Sequence, residues 1–556
     1  MIRLSKEAAA AIVVVMLCLL ALGVGIWRAT TKAPGPSPDL PPLARTTEAL
    51  ARPIPEIPRS LFEFRGLWVA TVDNIDWPSK KGLPAREQRQ EMMRIIGVAE
   101  SLNLNAIVLQ IRPSCDAIYP SALEPWSEYL SGTQGVPRDD RSDPLAEWIA
   151  ACHARGIELH AWFNPFRARH FKATSPNAPT HVSHVHPRLV KSYGTRPDNT
   201  YQWLDPGEPA ARQHTLDVVL DVVNRYDIDA VHMDDYFYPY PIDKVEFPDE
   251  ATYAAYRKSG GTLARDEWRR SNINTFVQTL AERVHAAKPG VRVGISPFGI
   301  WKPGHPKGVD GMDQTARIFA DPKLWLNQGW VDYLAPQLYW RLDAPKQPYA
   351  PLLSWWIGEN TKGRHVFVGN TASRVAPPGT SGAWRADEIL NQVAETRRQN
   401  ATGNILYSAI ALVEDRDSVA TKLRAGPYAS PTLTPQASWL ARPPVQPRVT
   451  VKMTGASPLI SWAPGDATPV RRWVVLVERT GQWELSIKPP TVSFASDYDL
   501  FPLVAGAPGT RPTPATPPTR LAVIQVGPAG VLGPPAVVDV PSPSVGRAPV
   551  SPASGP

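Results

Sequence analysis

The sequence predicts an α/β fold, a (β/α)8 TIM barrel followed by a small all-β sandwich, and three observations predict it. Short apolar runs rich in β-branched and aromatic residues alternate eight times with helix-compatible segments between Phe62 and Tyr428. No glycine-rich phosphate or dinucleotide loop follows the first run, which argues against an open doubly wound sheet. After Pro427 the alternation stops, and short strands separated by turn residues take over.

In chain order, the first element is an apolar run from Ala8 to Ile26, preceded by Arg3 and Lys6. Its 19 residues are enough to cross a bilayer and exceed the roughly 7–15 of a signal-peptide core, so residues 1–28 read as an uncleaved signal anchor (a transmembrane/signal helix). A poor cleavage site at Ala21-Leu22-Gly23 keeps a secreted form open, and Leu17 before Cys18 is too bulky for a lipoprotein signal. Residues 29–58, rich in Pro, Ala and Thr, read as a flexible linker.

The barrel is expected over 59–428, with strands at 65–71, 105–113, 156–164, 228–235, 291–299, 331–340, 365–371 and 404–411. Between strands four and five, Ile273, Phe276, Val277, Leu280 and Val284 share one face of a helix over 267–287. The "KPG" at 288–290 stops it, with Gly290 suited to a left-handed cap. "RVTVKM", "PLISWAP", "RRWVVLVER", "WELSIKP" and "RLAVIQVG" then form a sandwich over 443–540, with Trp462 and Trp473 as core aromatics and a long loop at 507–519. Residues 541–556, rich in Pro, Ser and Ala, read as disordered.

Composition narrows the function. Hydrophobic content of 43% supports a sizeable core, and a net charge of +7 without any Lys/Arg run gives no reason to expect nucleic acid. Cys18, Cys115 and Cys152 offer neither a disulfide framework nor zinc spacing, and the latter two read as core residues. "HVSHVH" (His181, His184, His186) lacks an acidic or cysteine partner at ligand spacing and reads as loop packing or substrate contact. Neither a metal nor a cofactor is implied.

In such barrels the working residues stand where strands end and loops begin. Those positions carry Asp73, Asp76 and Trp77 after strand one, Arg112, Asp116 and Tyr119 after strand two, and Asn164 and Arg167 after strand three. They continue with Asp234, Asp235 and Tyr236, then Ser296 and Trp301, then Gln337, Tyr339 and Trp340, then Asn370, and last Glu414 and Asp415. Carboxylates among Trp, Tyr, Asn and Gln suit carbohydrate cleavage: an acid protonates the leaving oxygen, a second carboxylate meets the cationic centre or activates water, and aromatic faces stack on sugar rings. A single Asp at a strand end caps a loop about as often as it catalyses, and Asp227, Asp229 and Asp332, at the opposite strand ends, read as structural. Asp234–Asp235 stands apart, because two adjacent acids at a buried mouth repel each other and lose hydration.

"FRGLWVATVDNIDWP", "NAIVLQIRPSCDAIYPSALEPWSEYLSG", "LHAWFNPFRAR", "LDPGEPAAR", "AVHMDDYFYPY", "GISPFGIW" and "WVDYLAPQLYW" together resemble the glycosyl-hydrolase-like family 10 of bacteria. The resemblance implies a hydrolase of peptidoglycan glycan strands lacking stem peptides, with Asp234 as a catalytic carboxylate, Asp235 beside it, and Arg112, Asn164 and Tyr339 at further family positions. Ala230 departs from the pattern, which commonly has Gly there. The sandwich resembles a fibronectin type III domain.

On this reading Asp234 is the nucleophile or electrostatic stabiliser, Asp235 tunes it or is the second acid, and Asp116 is the candidate for a separate general acid. Alternatively the substrate's acetamide oxygen attacks, with Asp234 orienting it and Tyr236 or Tyr339 steadying the amide. Asp73, Trp77, Arg112, Asn164, Arg167, Tyr236, Tyr238, Trp301, Gln337, Tyr339 and Trp340 are expected to bind substrate, with Phe237 and Tyr240 completing an aromatic wall stiffened by Pro239 and Pro241. Expected partners are peptidoglycan strands or another polysaccharide, the membrane through the N-terminal helix, and cell-division or amidase proteins. The expected location is the cell envelope, anchored in the inner membrane facing the periplasm or secreted to it. A glycosidase of another exopolysaccharide and a non-catalytic glycan-binding protein are the rival readings.

Overall fold

The computed structural model describes residues 53–541 except 197–198, 377–378, 455–456, 497–499, 501–502, 505–512 and 515. The expected signal anchor, most of the linker, most of the 507–519 loop and the tail beyond Pro541 lie outside the described residues. Among those described, no helix is long and apolar enough to cross a membrane.

Eight parallel strands close into a barrel in sequence order: β1 (Phe64–Val69), β2 (Ala106–Arg112), β3 (Glu158–Phe163), β4 (Ala230–Met233), β5 (Arg292–Ile295), β6 (Tyr333–Leu334), β7 (His365–Asn370) and β8 (Gly403–Leu406). Closure is made by β8 against β1, with Phe64 opposite Gly403 and Leu67 opposite Leu406. All eight expected strands are present. The sixth shrinks to two residues because Pro336 has no N–H to continue the ladder, and pairing resumes only at Gln337, which bridges to Phe298 and Gly369.

Alternation along each strand sends one set of side chains into the barrel and the other under the helices. Phe64, Trp68, Val108, Trp162, Tyr333, Phe367 and Ile405 fill the interior, where Phe64 stacks on Phe367 at 3.9 Å. A glycine makes room for the largest ring: a Cβ at Gly294 would lie 1.9 Å from Tyr333 Cζ.

Helices cover the outside, and their ends follow local rules. Asp143 caps α1 (Pro144–His153) by accepting from Ala146 N at 3.2 Å, with Pro144 in its first turn. The expected stripe of Ile273, Phe276, Val277, Leu280 and Val284 is buried on α2 (Arg265–Ala287). That helix stops where expected, but Lys288 is extended (φ −144°) and Gly290 takes no left-handed conformation. Gly290 instead permits close packing, since a Cβ there would sit 2.9 Å from Pro528 Cβ.

Two further structures attach to the barrel. The segment after β3, read from sequence as a long loop, folds into a small antiparallel sheet of 167–169, 190–193 and 201–204. The C-terminal region forms a three-stranded sheet (Arg448–Thr454, Ser457–Ala463, Phe494–Ala495) and a four-stranded sheet (Gln482–Lys488, Arg472–Arg479, Arg520–Val526, Ala536–Asp539). Trp462 and Trp473 meet between them, ring centroids 6.5 Å apart.

The four-stranded sheet is covered on its second face as well. Val474, Leu476, Ala522 and Ile524 pack with Leu433 and with Ile54, Ile57 and Phe62, so the last residues of the expected linker are part of the folded body. This contact lies at the N-terminal ends of the barrel strands, where Arg471 binds Asp227 (2.7 and 2.8 Å) and ion-pairs with Asp229 (2.6 Å). Asp229 also accepts from Leu159 N and meets His153 Nε2, each at 2.8 Å. Burial pushes the Asp229 carboxyl up, but Arg471 and His153 outweigh it and hold the group well below the usual carboxylate range. Asp227, Asp229 and Asp332 are structural, as expected; Asp332 ties His285, Val293 N and Trp439 together.

Candidate active site

At the opposite, C-terminal mouth of the barrel, β4 ends in Asp234. Ala230, His232 and Asp234 alternate inward, and Asp234 receives Trp162 Nε1 (3.2 Å) and Asn164 Nδ2 (3.2 and 3.0 Å to its two oxygens) from β3 and the residue just beyond it. Beneath it, Trp68 Nε1 lies 3.2 Å from His232 Nε2, and the Tyr333 hydroxyl lies 2.9 Å from Nδ1 of both His232 and His160. Burial pushes His232 well below its ordinary value, so this ring stands neutral in the hydrogen-bonded floor of the site.

Asp234 is 3% exposed and Asp235 2% exposed. Burial raises Asp234 to about 7; the negative charge of Asp235 adds to this, while Arg167, Asn164 and Trp162 oppose it. Burial likewise raises Asp235 to about 6, against hydrogen bonds from the Tyr240 hydroxyl and Gln337. Between about pH 6 and 7 the two carboxyls therefore hold about one proton between them, which equips the pair to donate a proton and present a charge at the same time.

Around the pair, Tyr339 and Tyr407 stack at 5.9 Å, and Tyr236, Tyr240, Phe298 and Trp340 form a chain of edge-on rings 5.4–6.4 Å apart. The hydroxyls of Tyr236, Tyr339 and Tyr407 make no hydrogen bond among the described residues. Gln337 donates to Ser296 O at 2.9 Å and faces Asp235. Arg167 places its guanidinium 5.7 Å from the Tyr236 ring, its Nε on Pro113 O (3.0 Å) and its backbone N on Asn164 Oδ1 (2.8 Å).

Several expected site residues lie elsewhere. Trp77 is fully buried, donating to Gln88 O at 2.8 Å and packed edge-on to Trp148, so it is a core residue. Arg112 is fully buried on Glu124, with its remaining donors on Asn164 O, Pro165 O and Cys115 Sγ. It holds up the Asn164 turn and has no donor left for a sugar. Tyr238 and Phe237 are buried among Phe247, Phe319, Phe276 and Trp325, behind the wall that Tyr236 and Tyr240 form.

Asp116 is buried in its own loop, accepting from Ser114 N (3.0 Å) and Gln134 Nε2 (3.4 Å), and is raised to about 6 by that burial. No contact joins it to Asp234 or Asp235 among the described residues. Asp73 pairs with the exposed Lys172 at 2.5 Å, and Trp301 donates to Asp321 Oδ1 and stacks on Trp355. Asp76 clasps the first and last strands together through Ala70 N, Ser408 Oγ and Ile410 N, and Asp415 caps the turn into 420–421. His181 packs on Ala168 O at 3.0 Å, and Cys115 and Cys152 are buried and unbridged.

Trp162 and Tyr407 are absent from the strand-end reading. The alternation His160, Trp162, Asn164 places Trp162 inward beside Asn164. The strand expected over 404–411 hides Tyr407, which stands just past the end of the ladder at Leu406.

The profile of the family described as Glycosyl hydrolase-like 10 matches residues 63–385. The chain is 39% identical over 403 residues to "Glycosyl hydrolase YngK" of Bacillus subtilis (strain 168), covering 70% of this chain and 76% of that protein. It is 32% identical over 358 residues to "Glycosyl hydrolase DigH" of Escherichia coli (strain K12), covering 60% and 78%. Among solved structures, the glycoside hydrolase domain of PgaB (BpsB) from Bordetella bronchiseptica aligns at a TM-score of 0.46 and 14% identity, covering 65% of this chain and 98% of that domain.

Proposed function

Since the chain belongs to the glycosyl hydrolase-like 10 family and is a glycoside hydrolase, we infer that its substrate is the peptidoglycan glycan strand stripped of stem peptides. The observation that carries this reading is the buried Asp234–Asp235 pair at a mouth where the hydroxyls of Tyr236, Tyr339 and Tyr407 have no protein partner among the described residues. Asp234, which holds its proton to about pH 7, donates it to the glycosidic oxygen. Asp235 stays charged under the Tyr240 hydroxyl. With Asp76 and Asp116 committed to backbone and side-chain donors of their own loops, no described carboxylate faces the pair across the groove. An acetamide oxygen of the substrate attacking the sugar carbon fills that role, with Asp235 accepting the acetamide N–H and Tyr339 or Tyr407 donating to its oxygen. The apolar leader at 8–26 supports an envelope location.

The test is to incubate the protein with amidase-stripped strands and with intact sacculi, beside an Asp234→Asn variant, and to resolve soluble products by mass spectrometry. Short saccharides released only from stripped strands, and only by the unaltered protein, support the reading. Release from neither substrate removes it in favour of another polysaccharide, and sedimentation with the strands without release favours a glycan binder.

A further inference from the structure

Arg167 is 5% exposed and makes no ion pair among the described residues. Its Nε is fixed to Pro113 O at 3.0 Å and its guanidinium lies 5.7 Å from the Tyr236 ring centroid, but neither terminal nitrogen has a hydrogen-bond partner among the described residues. Other arginines of comparable burial are engaged: Arg112 with Glu124, Arg269 with Asp249, Arg292 with Glu158. Both tips are free of protein partners on a side chain otherwise buried, and a guanidinium fork so placed matches the two oxygens of a carboxylate.

We propose that Arg167 is the specificity residue of the site and binds a carboxylate carried by the substrate sugar, the free lactyl carboxylate exposed when a stem peptide is removed. This rests on the peptidoglycan reading above. A strand that keeps its peptides carries an amide at that position, which offers one neutral acceptor and leaves the guanidinium uncompensated. Arg167 thereby selects stripped strands by charge rather than by the size of the groove. The same contact acts on the chemistry: neutralising Arg167 removes the positive charge that most opposes protonation of Asp234, so a correct substrate secures the proton it is about to receive.

The experiment titrates the full-length protein calorimetrically with two probes, N-acetylglucosaminyl-N-acetylmuramic acid and its lactyl methylamide. The free acid is expected to bind roughly 30-fold more tightly, the size of a charge-assisted hydrogen-bonded pair, and Arg167→Gln should bring the ratio to within about 3-fold of unity. A ratio near one in the unaltered protein, or one that survives Arg167→Gln, overturns the proposal. Should Arg167→Gln fail to fold, Arg167→Lys decides, because lysine keeps the charge and loses the fork. A ratio reduced at least about 5-fold supports Arg167, and a smaller change or none overturns it. Hydrolysis of stripped strands is scored separately: its absence removes the peptidoglycan reading, while the binding ratio still decides Arg167.

Discussion

Asn164 donates through Nδ2 to both oxygens of Asp234, at 3.2 and 3.0 Å, while its Oδ1 accepts from the backbone N of Arg167 at 2.8 Å. One amide thus sets the orientation of the proposed proton donor and the position of the arginine beside it. Replacing Asn164 by Ala should lower kcat on stripped strands by roughly 10–100-fold, the loss of a hydrogen bond to an ionisable group. Steady-state kinetics check this, with KM for the free-acid substrate rising in the same variant because Arg167 loses its anchor.

Asp234→Asn should reduce kcat by about 10³-fold or more and still not destabilise the protein at neutral pH. The folded carboxyl is raised from 3.8 to about 7, so between those values the native state binds more protons than the unfolded chain, and stability falls as pH rises through that window. Asparagine carries no such penalty. Thermal melts should show the variant gaining on the unaltered protein from pH 4 to pH 7, by up to about 4 kcal/mol at the top.

The proposed acid pair is also expected to set the pH dependence of hydrolysis. A profile of kcat/KM should be bell-shaped, with limbs near pH 6 and 7 that belong to the pair as a unit. Tyr240→Phe removes the hydroxyl that stabilises the charged form of Asp235, so the acidic limb should move to higher pH and the bell should narrow and fall. An acidic limb that stays in place would remove Asp235 from the titrating pair.

How far the sequence exposed this site depends on what each residue needs. Asp234, Asp235, Asn164 and Arg167 were legible because strand alternation and strand-end position place them whatever the packing. Arg112 and Trp77 have the same sequence address and a different fate. Whether a strand-end side chain faces the groove or the helix layer turns on partners distant in sequence, such as Glu124 for Arg112 and Trp148 for Trp77. The left-handed conformation expected at Gly290 failed for the same reason: its lack of a side chain answers to Pro528, some 240 residues later.

Arg112 and Glu124 should therefore be read out by stability. Glu124→Gln leaves Arg112 buried without its counter-charge and is expected to cost about 3–5 kcal/mol. Burial raises the Glu124 carboxyl, but Arg112 and His214 outweigh it and hold the group at about 2, so the pair's contribution is present above pH 4.5 and is lost as pH falls toward 2. Denaturant titrations at pH 7 and pH 3 should show the variant's deficit shrinking at the lower pH.

Arg471 holds Asp227 and Asp229 across the seam between barrel and C-terminal sheets. Arg471→Ala should lower stability by about 3–5 kcal/mol, because it strands a buried Asp229, and should leave the relative rates on different glycans unchanged. Differential scanning calorimetry should show one transition shifted down, since both faces of the four-stranded sheet are packed.

That double-sided sheet also sets a timetable for the chain as it is made. The barrel's hydrogen-bonded ring is complete once Leu406 has been synthesised, yet Ile54, Ile57 and Phe62 wait for strands that begin at Arg472 and end at Asp539. Contacts spanning more than 400 residues are slow to form and leave apolar surface wet until they do. Until those strands are made, the apolar surface of Ile54, Ile57, Phe62 and Leu433 has no cover, and a chain cut near residue 440 is expected to expose it to aggregation.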